Sequence, residues 1–135
     1  MARHLFGLVV AISLLSVIFA AGAANAKWEE NGTAICATGG SNSASVSDGA
    51  GGFVVVWVDG STGAYPADIY AQRVDEFGNA LWQTNGVAIG DDVGHDANPA
   101  IARYGSDFVI VWQMAGGSLG VQRISSAGAL VWESR

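Results

Sequence analysis

Cysteine is nearly missing from this chain of 135 residues: Cys36 stands alone, so no internal disulfide can staple the fold. It is expected as a small buried apolar residue, with an intermolecular disulfide as the lesser alternative. Basic residues are scarce as well, six against twelve acidic, and the internal arginines Arg73, Arg103 and Arg123 lie far apart. Phosphate contacts need clustered Lys and Arg, so nucleic acid is excluded as a partner. The same balance argues against anionic membrane surfaces. Helical periodicity is absent beyond the first 26 residues, and no long apolar run follows them. Only one histidine, His95, lies beyond that point, which leaves no Ser-His-Asp, Cys-His or zinc constellation to build.

What is present begins with an address. Arg3 and His4 precede the apolar run "LFGLVVAISLLSVIFA", and Ala24-x-Ala26 forms a small-x-small cleavage site before the polar "KWEENG". An uncleaved anchor is the alternative, since the run is almost long enough to span a bilayer. Residues 1–26 are read as a signal peptide cleaved after Ala26, with the product secreted or periplasmic and not inserted in a membrane. Residues 27–135 then form a Gly-rich domain with a net charge of −7, from five basic and twelve acidic residues.

The domain repeats itself. Trp28, Trp82 and Trp132 fall 54 and 50 residues apart, within "WEENGTAI", "WQTNGVAI" and "VWESR". "FVVVW" (53–57) returns as "FVIVW" (108–112), Gln72-Arg73-Val74 as Gln122-Arg123-Ile124, and Gly78 as Gly128. All five tryptophans occupy repeat positions, with units at about 28–81 and 82–132. Each unit reads as four short strands. The first holds Val46 or Ile101, the second is the Phe-to-Trp run, and the third is "DIYAQRV" or "LGVQRI". The fourth carries the tryptophan and, where complete, the Asn-Gly.

The second strand does not alternate; it offers apolar groups to both faces, so both must be covered. The third does alternate, which suits a strand nearer the outside. Two four-stranded antiparallel, propeller-like blades follow as the expected all-β architecture. A β-sandwich is the alternative, although sandwich strands have no reason to repeat at this interval.

The string "VVVWVDG…DIYAQRVDEFGNALWQTNGVAI" resembles the roughly 50-residue repeats of exported bacterial β-propeller-type proteins. It is also similar to delta-60-type repeats, whose "aRl…DG…" core echoes "AQRVDEFG". The resemblance spans Trp28 to Trp132 and implies architecture; it brings no catalytic residues or cofactor. Chains of that kind usually carry many copies, so two copies raise the alternative of a truncated fragment of a longer repeat protein. A looser likeness, of architecture alone, is to small propeller lectins that close a ring by oligomerising.

Two blades alone would leave flat apolar faces wet. At about 25 cal/mol per Å2, roughly 500 Å2 of such surface forgoes about 12 kcal/mol. A homo-oligomer through blade faces is therefore expected.

Chemistry is sparse. Asp91, Asp92 and Asp96 in "GDDVGHDANP" are weak candidates for holding a cation, but the spacing is not that of a calcium loop and the first repeat has no equivalent. Solvated turn residues explain them as well. Trp57 and Trp112 are candidates for stacking a sugar, against a packing role between blades. Arg73 and Arg123 are candidate ligand contacts, against structural ion pairing with a neighbouring acid such as Asp75. Tyr65 sits in the loop 59–68, which is five residues longer than its counterpart. No carboxylate pair is singled out for glycosidase chemistry. The expectation is an exported, non-enzymatic scaffold without cofactor that binds a protein or glycan through its loops; a small propeller lectin is the alternative.

Overall fold

A computed structural model of the chain describes residues 28–37, 39–60, 67–90 and 94–132. The proposed signal peptide, Tyr65, Asp91 and Asp92 lie outside the described residues. Within them the protein is all-β, with no α-helix and a single 3-10 turn at Ala115–Gly117. One sheet has four antiparallel strands in chain order: β1 (Gly40–Ser47), β2 (Phe53–Asp59), β3 (Asp68–Val74) and β4 (Val87–Gly90). The other has three: β5 (Ala97–Tyr104), β6 (Asp107–Gln113) and β7 (Leu119–Ile124). Both are simple antiparallel meanders, in which each strand pairs with the next in the chain. Their first strands, β1 and β5, lie against each other.

The sheets pack face to face, and the pleat decides which side chains meet. Val54, Val56 and Val58 of β2, with Ile69 and Ala71 of β3, meet Phe108, Ile110 and Trp112 of β6 and Ile124 of β7. β2 and β6 carry almost the same letters, yet they contribute opposite phases. The odd-numbered Phe53, Val55 and Trp57 correspond to Phe108, Ile110 and Trp112, but they point away from the second sheet. This is why the run could not alternate: β2 is buried on both faces, Val55 and Trp57 on one and Val54 and Val56 on the other. The third strand is likewise enclosed on both sides, since Gln72 and Val74 are as fully buried as Ile69 and Ala71.

Two expectations about strand composition are corrected. Val46 and Ile101 are not equivalent: Val46 pairs with Val54, whereas Ile101 pairs with Ile110, one residue out of repeat register. The turn between β5 and β6 is shorter than that between β1 and β2, and a one-residue offset moves a side chain to the other face. Both residues thereby reach the same core from opposite sheets. Nor does the fourth strand carry the tryptophan. Trp82 precedes it, and Asn85 (φ 67°) and Gly86 (φ 91°) make a turn closed by Gly86 N–H to Gln83 O at 3.0 Å. Only then does β4 begin.

Gly86 illustrates how closely the turn is fitted. A Cβ there would lie 2.6 Å from Trp57 Cη2 and 2.9 Å from the Ala71 carbonyl, on a backbone that L residues rarely adopt. Gly86→Ala is expected to cost about 2 kcal/mol, from left-handed strain plus overpacking. A urea titration checks this; an unchanged midpoint would refute the fit.

Candidate functional site

The turn motifs of the repeat build a socket, and the chain fills it twice. Trp82 lies edge-on to Phe108, with ring centroids 6.4 Å apart at 69°, and its indole N–H donates to the Ser126 carbonyl at 3.2 Å. Trp28 stacks on Phe53 at 6.2 Å and 18°, and its indole N–H donates to the Glu76 carbonyl at 2.8 Å. Phe53 and Glu76 are the repeat counterparts of Phe108 and Ser126. The residues after Trp28 also repeat those after Trp82, with Gly32 N–H bonded to Glu29 O at 2.9 Å. The Ala37 N–H then ties this segment to Asn85 Oδ1 at 2.9 Å. Trp82 is buried, while Trp28 is 48% exposed.

One glutamine positions Trp82 and another Trp132, a role the sequence pattern did not assign although both glutamines stand in the repeat. Gln72, fully buried, accepts the Trp82 N–H at 2.9 Å on Oε1 and donates from Nε2 to Gln83 O at 2.9 Å. Gln122 accepts the Trp132 N–H at 3.2 Å and donates to Trp132 O at 3.0 Å. The amide side chain stands in for a strand where the chain leaves the ladder. The Trp132 N–H is thus held as the Trp82 N–H is, although the amide's second bond goes to Trp132's own carbonyl instead of the next residue's, and Trp132 is 44% exposed.

Around Trp132 the second sheet presents an apolar face. Val109 and Val111 are half-buried, while Leu119 and Val121 are 73% and 53% exposed. These four are the repeat counterparts of Val54, Val56, Ile69 and Ala71, the face by which the first sheet buries itself against the second. Among the described residues the second sheet therefore displays, exposed at Leu119 and Val121, a second edition of the chain's internal interface.

The candidate ligand residues are placed as follows. Trp57 and Trp112 are 2% and 6% exposed, and Trp57 stacks on Tyr70 at 6.2 Å, so no sugar reaches either ring in this arrangement. Arg73 pairs with Asp48, its Nη2 being 2.8 Å from Oδ2, and also donates from Nη1 to Ser126 O at 3.0 Å. Arg123 pairs with Asp107 at 2.7 Å and lies 5.1 Å over the Tyr104 ring. The acid beside each arginine is thus the one closing the turn before β2 or β6, rather than Asp75. Asp75 instead caps its own turn, accepting Phe77 and Asn79 N–H groups at 2.9 and 2.8 Å. Asp96 is buried beside Gly90 and Trp112. Among the described residues no three His, Cys, Asp or Glu side chains gather to hold a metal. Cys36 is half-buried, less enclosed than expected, and lines an open cleft of about 470 Å3 with Asn79, Trp82 and Asn85.

Three carboxyls are held below their ordinary range. For Asp48 the main cause is the Ala50 N–H, with Arg73 next among those favouring the charge; for Asp75 it is the Asn79 side chain; for Asp107 it is Arg123. A depressed folded-state value means that these groups stabilise the fold above the unfolded carboxyl value. That stability is lost as pH falls through the folded value. Thermal stability is accordingly expected to decline from about pH 5 downward, and less steeply in Asp48→Asn. A flat melting temperature between pH 7 and pH 3 would contradict this.

The fold and the socket define a class: an all-β protein of two antiparallel sheets, of four and three strands, built from a duplicated unit. No family model, curated protein or solved structure matches the chain.

Proposed function

We propose that this is an exported, non-enzymatic repeat scaffold of the propeller type, which assembles through its sheet faces and offers its loops to a protein or glycan ligand. One observation carries the reading. The exposed Leu119 and Val121 stand where the first sheet has the buried Ile69 and Ala71, so the second sheet has a face shaped for burial. Surfaces of that kind favour a partner because the apolar area removed from water is the driving force. Sheets that stack by a repeated contact form rings or open stacks according to whether the rotation closes. Export supplies the context, from the Ala24-x-Ala26 site at the N-terminus. The enclosed Trp57 and Trp112 lend no support to the lectin alternative.

The test is the solution mass of Lys27–Arg135 by light scattering after size exclusion. A discrete dimer, trimer or tetramer is the expected outcome. A monodisperse monomer at every concentration would defeat the reading.

A further inference from the structure

We infer that Trp28 is an intramolecular plug: it occupies on the first sheet the socket that Trp132 of a second copy enters when the chains join head to tail. The inference rests on the assembly proposed above and specifies its register and its control. Three tryptophans share one repeat phase, and the chain contains two sockets among its described residues. Trp82 fills the Phe108–Ser126 socket, and Trp28 fills the Phe53–Glu76 socket. The Trp132 N–H is held by Gln122 as the Trp82 N–H is held by Gln72, and Trp132 is 44% exposed.

The occupant that matches Trp132 is another copy of this chain. Its Phe53, Val55 and Trp57 are the counterparts of the Phe108, Ile110 and Trp112 that already pack on the Val54, Val56, Ile69 and Ala71 face. The face it would meet, Val109, Val111, Leu119 and Val121, is the counterpart of the latter, so the new contact continues the internal one. The polar part continues too. The Ser126 carbonyl accepts from both Trp82 and Arg73 of the first sheet. The Glu76 carbonyl of a second copy would accept from Trp132 and Arg123 in the same way.

One socket cannot hold two indoles, so residues 28–37 must lift for Trp132 to enter. The plug is suited to lifting. Trp82 is 9% exposed in its socket, but Trp28 is 48% exposed in its own, and buried area sets how strongly each is held. A loosely held internal occupant of a docking site taxes association by the fraction of time it is in place.

The experiment is sedimentation velocity over a range of concentrations on Lys27–Arg135 and its variants. Trp28→Ala is expected to tighten self-association at least tenfold, and adding Trp132→Ala is expected to cancel that gain. Val121→Glu, an exposed position that the fold tolerates, is expected to abolish association in either background. If Val121→Glu abolishes association while Trp28→Ala leaves the dissociation constant unchanged, the plug is refuted and the assembly stands. If the native chain stays monomeric at every concentration, the assembly is refuted and the plug, which rests on it, falls too. A synthetic peptide of residues 27–37 added to the native chain is an independent check that does not depend on how the variants fold. It is expected to lower the assembly mass, with its Trp28→Ala version inert; equal effects of the two peptides, or none, would overturn the plug.

Discussion

Trp82→Ala is expected to lower the unfolding free energy of the monomer by about 4 kcal/mol, and Trp132→Ala by less than about 1 kcal/mol. The two residues occupy one repeat phase and each donates its backbone N–H to a repeat glutamine, so the main difference lies in their surroundings. Trp82 sits between the sheets, belongs to the central apolar cluster and bonds the Ser126 carbonyl. Its removal opens a cavity that two stacked sheets cannot close, and it leaves a carbonyl short of one donor. Trp132 is 44% exposed, so its truncation mainly trims surface already in water. Urea midpoints measured at concentrations where the chain is monomeric check the pair. Equal losses would mean that the repeat, rather than the packing, sets the energetic role of the tryptophan.

The second contrast concerns the buried glutamines. Gln72→Leu is expected to cost about 3 kcal/mol and Gln122→Leu about 1 kcal/mol. Leucine keeps most of the volume but returns none of the hydrogen bonds. At position 72 that orphans the buried Trp82 N–H and removes one of the two donors to the Gln83 carbonyl, leaving the Gly86 N–H, while the Arg73 N–H loses its contact at 3.0 Å. At position 122 the Arg123 N–H likewise loses its contact, at 2.9 Å, but the other groups freed are those of Trp132, at a segment where water can replace the amide. Hydrogen exchange at the Trp82 and Trp132 amides supplies the local readout. Protection should collapse at Trp82 in Gln72→Leu, and a similar stability for both variants would contradict the assignment.

Both contrasts show where the sequence was sufficient. The repeat spacing, the Phe-to-Trp strands and the hairpin punctuation determine an all-β chain of two similar antiparallel units. Strand composition and turn chemistry are local properties, and local properties survive in one dimension. The non-alternating second strand announced burial on both faces; β2 has it, whereas β6 keeps Val109 and Val111 half-buried. Other features were not legible because they depend on which strand faces which. The letters around Arg73 suggested Asp75 as its partner, but the pairing of β2 with β3 brings Asp48 to it across 25 residues. Gln72 and Gln122 were visible as repeated letters, yet nothing local reveals that an amide replaces ladder bonds beside Trp82 and Trp132. Val46 and Ile101 looked equivalent until the shorter turn before β6 shifted the register by one.

The repeat, the central Phe-to-Trp and Gln-Arg strands and the phase of every tryptophan follow from period and residue type. Which faces are satisfied depends on how the sheets stack. Stacking one sheet on its near-duplicate buries the Val54, Val56, Ile69 and Ala71 face of the first and leaves the matching face of the second exposed at Leu119 and Val121. The physical reason is that burial belongs to pairs of surfaces. Two identical faces acquire different energies when only one of them has a neighbour.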